Sequence, residues 1–351
     1  MRFLDKIIQD DMENLINESY IDSIKNESKI MITGCNGMIA TYLLYFFCYL
    51  NDKKNKNIKI YALTRNLEKT NNKYADILQR EDVEFICHDV NDKFDFDFKI
   101  DYLFHLASSA DPTNILNRPV DIIKANTIGL INALEFSRKN NAKLIFASTR
   151  EVYGKVEGKE EIYEDDLGII DQMGTRACYP ESKKMAECLI NSYNLQYNVP
   201  FTIFRIAHSY GPGMPINNDG RIMSDLIGNV VRNEDIVLKS DGSAIRAFCY
   251  LTDLISGLLY GTFVGNDNEL YNLSNEQEEI SILNLSNLLV SIFPSKNLTV
   301  TYKKATKEQQ AAYCSFKRTR MNTDKLRKLG WQPKISLKKG LEKTVNSFKE
   351  D

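Results

Sequence analysis

One stretch restricts the folds open to this chain more than any other. Lys29-Ile-Met-Ile-Thr33 is a short apolar run, Gly34-Cys-Asn-Gly37-Met-Ile-Ala40 turns out of it, and apolar residues then continue to Leu50. Strand, glycine turn and helix in that order form the context of a dinucleotide-binding loop. Gly34 permits the tight turn, Gly37 lets backbone approach a pyrophosphate, and Ala40 is small enough for the helix to pack close to the strand. The helix N-terminus then turns its positive dipole end toward the phosphates.

The rest of the first half repeats the alternation. Residues 57–64, 83–89, 101–107 and 143–149 read as strands, and 119–140 as a long helical pattern. This predicts an α/β fold, a Rossmann-type doubly wound parallel sheet. Beyond Tyr179 a helix should run to about Gln196, followed by a strand over 201–208 and then a less regular mixture of helices and strands. The expected organisation is an N-terminal helical extension (1–28), a dinucleotide-binding domain (29–200, with 201–208 and 246–263 returning to it) and a smaller mixed α/β substrate-binding domain (209–245 and 264–351). Leu4, Ile8, Met12, Leu15 and Ile16 recur at helical spacing, so the extension should pack on the main domain or in a dimer contact.

The chemistry is carried by residues 144–183. An apolar strand ends in the hydroxyls Ser148 and Thr149, Glu151 follows, and Tyr179 stands one helical turn before Lys183. A phenol beside an ammonium loses its proton more easily. A phenolate beside a Thr hydroxyl is a base for a substrate alcohol, which points to hydride chemistry next to the glycine turn. Tyr-x-x-x-Lys alone is weak: Tyr49 and Lys53 match it too and read as the end of a packing helix. NAD sites place an acid where the second strand ends, whereas an Arg accommodates a 2′-phosphate. Arg65 stands there, so the cofactor is NAD or NADP with a lean to NADP. Asp89 at the third strand end suits the adenine amino group, and the loop from Ser108 should lie over the cofactor.

Composition narrows the rest. A net charge of -2 gives no reason to expect nucleic acid or an anionic membrane as partner. The longest apolar run, Tyr42 to Leu50, is too short to span a bilayer, and the first residues lack a signal-peptide core. The 7 Cys include no C-x-x-C pair, which predicts reduced thiols in a cytoplasmic protein. His88, His105 and His208 are far apart, so no metal site is expected.

Together these stretches resemble the extended short-chain dehydrogenase/reductases that modify nucleotide sugars, the NAD-dependent epimerase/dehydratase family, over about residues 29–345. The elements are Gly34-x-x-Gly37-x-x-Ala40, His105-Leu-Ala-Ser108, Ser148-Thr149-x-Glu151-Val-Tyr-Gly154, Tyr179-x-x-x-Lys183, Arg205-Ile206 before Tyr210-Gly-Pro212, and Arg246-x-Phe-x-Tyr250-x-x-Asp253. Within the family the chain looks most like UDP-glucuronate decarboxylases, through Asn126-Thr-Ile-Gly129, Ala147 to Gly154, Arg176 to Lys183 and Asn218-Asp-Gly-Arg221, and next like sugar-nucleotide 4,6-dehydratases.

The resemblance implies that Tyr179, with Thr149 and Lys183, removes the C4 hydroxyl proton of a nucleoside-diphosphate sugar while hydride passes to the nicotinamide. Loss at C5 or C6 then follows, and the cofactor is recycled. Glu151 is implied as a second base at C5 or as a positioning group. The implied cofactor contacts are Gly34, Asn36, Gly37, Met38, Ile39, Arg65, Asp89, Val90, Leu106, Ala107, Ser108, Asn126, Tyr179, Lys183 and Ile206. The implied substrate contacts are Ser108, Arg150, His208, Arg221, Lys239 and Arg246, with Arg246 on the diphosphate. Arg150, His208 and Arg65 depart from the decarboxylase pattern and leave open a 4,6-dehydratase, a 4-keto reductase or an epimerase. A non-catalytic NAD(P)-sensing protein is the alternative of another class. A homodimer through the helices near 120–140 and 180–196 is implied by the family only.

Overall fold

The computed structural model describes residues 1–216, 220–238, 240–302 and 320–348. A parallel seven-stranded sheet lies at its centre. Its strands are β1 (Lys29–Thr33), β2 (Lys59–Thr64), β3 (Val83–Cys87), β4 (Tyr102–His105), β5 (Lys143–Thr149), β7 (Phe201–Ile206) and β12 (Glu269–Leu273), with a two-residue strand β6 (Glu161–Ile162) outside the sheet. The spatial order is β12-β7-β5-β4-β1-β2-β3, so the order reverses between β1 and β4. Ligands of such sheets bind in the crevice beyond the carboxyl ends at that reversal.

The inner strands are almost wholly buried because helices cover both faces, as parallel sheets require, while the edge strands β3 and β12 are partly exposed. On one side lie α1 (Lys6–Ile16), α2 (Met38–Lys54) and α8 (Leu251–Phe263), in a core with Tyr20, Phe46, Phe47, Phe104 and Trp331. On the other lie α5 (Pro119–Asn140) and α6 (Cys178–Tyr197), packed over Leu103, Leu144, Phe146 and Ile203. The shorter helices α3 (Leu67–Lys73) and α4 (Pro112–Asn117) flank the carboxyl ends of β2 and β4. Residues 1–28 are therefore part of the main body: Ile8, Asp11, Met12, Leu15 and Ile16 are all buried.

A smaller unit covers the carboxyl edge. It contains β8 (Ser209–Tyr210), α7 (Ile222–Val231), β9 (Ile236–Leu238), β10 (Ile245–Arg246), β11 (Cys249–Tyr250), β13 (Ile280–Ser281), α9 (Ile282–Ile292), β14 (Val300–Tyr302) and a last helix, Leu337–Asn346. Its core joins Met223, Ile227, Phe248, Leu285, Leu289 and Leu341. No helix among the described residues is long and apolar enough to cross a membrane.

Two sequence expectations need correction. The substrate-side segment 264–351 contains β12, which pairs in parallel with β7 and so belongs to the main sheet. Residues 246–251 also read in sequence as one short strand; the structure has two, β10 pairing β13 and β11 pairing β8, with Ala247 and Phe248 buried between them.

Gly340 shows how tightly the last helix sits on this edge. A Cβ there would lie 2.2 Å from the Tyr210 hydroxyl and 2.9 Å from the Tyr250 ring. Gly340→Ala should therefore lower the urea midpoint. Overpacking costs about 1–3 kcal/mol, which exceeds the ~1 kcal/mol helix-propensity gain of Gly to Ala. An unchanged or raised midpoint would contradict this packing.

Candidate active site

The glycine turn is shaped for a dinucleotide. Gly34 has φ +69°, and a Cβ on it would lie 2.8 Å from the Ala107 Cα, so only glycine lets the ends of β1 and β4 touch. Thr33 Oγ1 accepts the Leu106 and Ala107 N–H groups across the same gap. The loop carbonyls are tied back: Tyr74 donates to Cys35 O, Lys73 to Asn36 O, and Thr41 to Gly37 O. Asn36 Nδ2 donates to Thr64 and Thr70. Gly37, the N-cap of α2, offers no side-chain cap, so the helix's first N–H groups, at Met38 and Ile39, remain for an anion. Ser108 Oγ is buried with no protein partner among the described residues. These features fit the pyrophosphate and ribose of NAD or NADP.

The other expected cofactor residues stand at or beyond the carboxyl ends of sheet strands or on α5. Arg65 follows β2 and lies 3.8 Å from the Asp89 carboxylate beyond β3. Val90 packs where a Cβ on Gly129 would meet it at 2.9 Å, so α5 presses on that strand end. Asn126 is buried on α5 and donates to Ser182 Oγ on α6. Ile206 ends β7 beside Thr149.

Thr149 ends β5 and caps the short 3-10 turn Arg150–Tyr153 by accepting the Glu151 N–H. Tyr179 lies in the first turn of α6, buried beside Ile115 and Ile122. Thr149 lies close enough to its hydroxyl to act on the phenol. Burial pushes the phenol well above its ordinary range and Glu151 adds to this, while Thr149 and the Arg176 charge pull it down.

Lys183 is anchored to β5. It shares a helix face with Tyr179, but its Nζ donates to Ala147 O at 2.7 Å and lies 4.4 Å from the Phe146 ring centroid. Arg176 also bears on Tyr179, its charge lowering the phenol. Burial lowers Lys183 to about 7, with Glu187 opposing. Tyr49 and Lys53 behave as a packing pair, Lys53 over the Tyr49 ring and Tyr49 donating to Glu13.

The expected catalytic Glu151 and the remaining substrate residues lie on the turn after β5 and in the smaller unit. Glu151 pairs with Arg176 at 3.3 Å. His208 packs on Phe248 with ring centroids 5.7 Å apart. Arg221 precedes α7, and Arg246 lies on β10 and donates to Ile245 O. Lys239, Asn218 and Asp219 lie outside the described residues.

Sequence reasoning gave no role to Arg176 or Glu187. Glu187 takes bidentate bonds from Arg205 and one from Ser148, bracing the hydroxyl end of β5 from behind. Its one sequence signal is a position one turn after Lys183; Arg176 stands one turn before Tyr179.

The sequence matches the NAD dependent epimerase/dehydratase family over residues 30–273. The chain belongs to that family. It is 31% identical to UDP-glucuronic acid decarboxylase 1 of Danio rerio over 332 residues, 94% of this chain and 74% of that protein. It is 30% identical to UDP-glucuronic acid decarboxylase 3 of Arabidopsis thaliana, covering 92% of this chain and 89% of that one. Among solved structures, UDP-glucuronic acid 4-epimerase from Bacillus cereus with UDP-glucuronic acid and NAD superposes with a TM-score of 0.74 at 22% identity, covering 91% and 98% of the two chains. The dTDP-glucose 4,6-dehydratase of Bacillus anthracis with NAD gives 0.72 at 18%, covering 92% and 96%. At these identities the structural likeness establishes the fold. The chain is thus an extended short-chain dehydrogenase/reductase with NAD or NADP as its cofactor.

The Lys183 environment makes a pH prediction. Its folded pKa, about 7, lies below the ordinary ~10.4 of lysine. Between those values the unfolded chain binds more protons, so this group's contribution to stability rises with pH. The stability difference between wild type and Lys183→Met should therefore move in favour of wild type from pH 7 to 10, read by urea unfolding. A pH-independent difference would contradict a buried, depressed ammonium.

Proposed function

We propose that the chain oxidises a nucleoside-diphosphate sugar at C4 and releases the C6 carboxylate as carbon dioxide, with UDP-glucuronate as substrate. The observation that carries this reading is the Thr149–Tyr179 hydroxyl pair at the end of β5, on the same sheet edge as the glycine turn. Tyr179, once ionised, accepts the C4 hydroxyl proton, with Thr149 holding the oxygen in line. A bound oxidised nicotinamide supplies a two-electron acceptor and a positive charge that favours phenolate. The C4 carbonyl is β to the C6 carboxylate, so the C5–C6 bonding pair can move toward the carbonyl oxygen as carbon dioxide leaves. A proton then adds at C5, and reduction at C4 restores the alcohol and takes the Tyr179 proton back.

The residue beside Thr149 favours decarboxylation over dehydration. Loss of water needs an acid for the departing hydroxyl. Position 150 is Arg, and a guanidinium does not give up its proton near neutral pH. Loss of carbon dioxide needs no such acid. The names of the decarboxylase relatives support the same substrate. Arg246, on the substrate-side edge, is read as the diphosphate ligand, since charge-assisted guanidinium bonds suit phosphate.

For the cofactor the reading is NADP. The end of β2 carries Arg65 where an NAD site would carry an acid; the nearest carboxylate, Asp89, is paired with it. Lys73, at the end of α3, adds a second cation near the turn, close enough to Lys69 to feel its charge.

The assembly is read as a homodimer through α5 and α6. These helices expose Val120, Ile123, Ile128, Ile131, Met185 and Leu195, an apolar face of the kind monomers rarely leave open.

Two experiments test these readings. Purified chain incubated with UDP-glucuronate, dTDP-, CDP- and UDP-glucose and GDP-mannose should give a product lighter by carbon dioxide from UDP-glucuronate alone, with NADP released on denaturation. Loss of water from a hexose nucleotide would transfer the reading to a dehydratase, no mass change would sink both, and release of NAD would overturn the NADP reading. In light scattering the wild type should be a dimer and Ile131→Glu a monomer; a monomeric wild type would refute the dimer.

A further inference from the structure

The segment preceding the family match, residues 1–29, contains one fully buried carboxylate, Asp11 on α1. Its oxygens receive three donors from elements far apart in sequence. Tyr42 of α2 donates at 2.9 Å, Tyr250 of β11 at 2.7 Å, and Lys343 of the last helix forms an ion pair. A buried charge is costly unless it is paired and hydrogen-bonded, so these partners specify one arrangement of the elements that carry them.

Those elements bear on the site from two sides. Tyr42 lies one turn inside α2, whose N-terminus faces the glycine turn. Tyr250 ends β11, which pairs with β8, and Cys249 N–H donates to His208 O. Two buried residues, Ala247 and Phe248, separate β11 from Arg246 on β10. Neighbouring contacts of the segment run the same way. Met1 fills the space where a Cβ on Gly213 would sit, Arg2 donates to Asn72 O at the end of α3, and Glu18 pairs with Lys334.

We propose that Asp11 is a positioning residue: it fixes β11, and with it the adjoining Arg246 and the hydrogen-bonded His208, at a set distance from the cofactor helix. The proposal rests on the reading of Arg246 as the diphosphate ligand. It assigns to the extension a part in the substrate site that fold stability alone does not require.

Two double variants separate positioning from stability. Asp11→Asn with Lys343→Met removes the buried ion pair but keeps an oxygen for Tyr250. Asp11→Ala with Lys343→Met removes both. The losses from breaking the ion pair are common to the two, so their difference isolates the hydrogen bonds that Tyr42 and Tyr250 give to the side-chain oxygen, and Tyr250→Phe separates Tyr250's share. In calorimetric titration of full-length holoenzyme with UDP, the Asn variant should bind as wild type. The Ala variant should bind roughly tenfold more weakly, the scale of one hydrogen bond to a buried acceptor, and both should retain their nucleotide cofactor. Tyr250→Phe, which disturbs no charge, should weaken UDP binding similarly and decides the matter if a double variant does not fold. Equal UDP affinity in all variants would overturn the positioning role and leave the proposed function standing. A wild type that binds no UDP would overturn the Arg246 reading and this inference with it.

Discussion

The contact between the ends of β1 and β4 is the constraint on which the rest depends. The two strands are neighbours at the reversal of the sheet, and the chain leaving β1 must pass the chain leaving β4 with only hydrogen on the Gly34 Cα. That closeness opens the crevice in which a dinucleotide's phosphates meet the α2 N-terminus. It also fixes the depth at which β5, the next strand, delivers Thr149. A larger residue at position 34 would separate β1 from β4 and displace both halves of the site.

Around this crevice the buried ionic groups sit in a supporting ring. Glu187 between Arg205 and Ser148, and Asp11 between Lys343 and two tyrosines, each satisfy several donors at once. Desolvation makes a half-made network expensive, so each specifies the spacing of its elements. The Thr149 and Tyr179 pair is less balanced: burial and Glu151 hold the Tyr179 phenol above its ordinary range. Added positive charge is what Tyr179 needs to act as a base.

Much of this was legible in the sequence. Periodicity marked the strand and helix alternation, and β5 and α5 fall where it placed them, because long, uniformly apolar or amphipathic runs leave few alternatives. The glycine turn and Thr149 were legible because each is local. β12 was not, since its Glu-Leu-Tyr-Asn-Leu pattern includes Asn272, a buried polar group bonded to Tyr153 and to backbone of distant segments. Lys183 shows the limit of helical spacing: i and i+4 share a face, but a long side chain can reach past its neighbour to a strand carbonyl, here Ala147 O. Asp11 lay furthest out of reach, because its meaning depends on Tyr250 and Lys343.

The central claim is that oxidation at C4 precedes carbon dioxide loss and is reversed within one turnover. It is tested most directly with UDP-glucuronate carrying deuterium at C4. The account predicts a pentose nucleotide that keeps the deuterium at C4, with a slowed rate and no net consumption of added cofactor. Deuterium moved to another carbon, washed into solvent, or transferred with no effect on rate would contradict it.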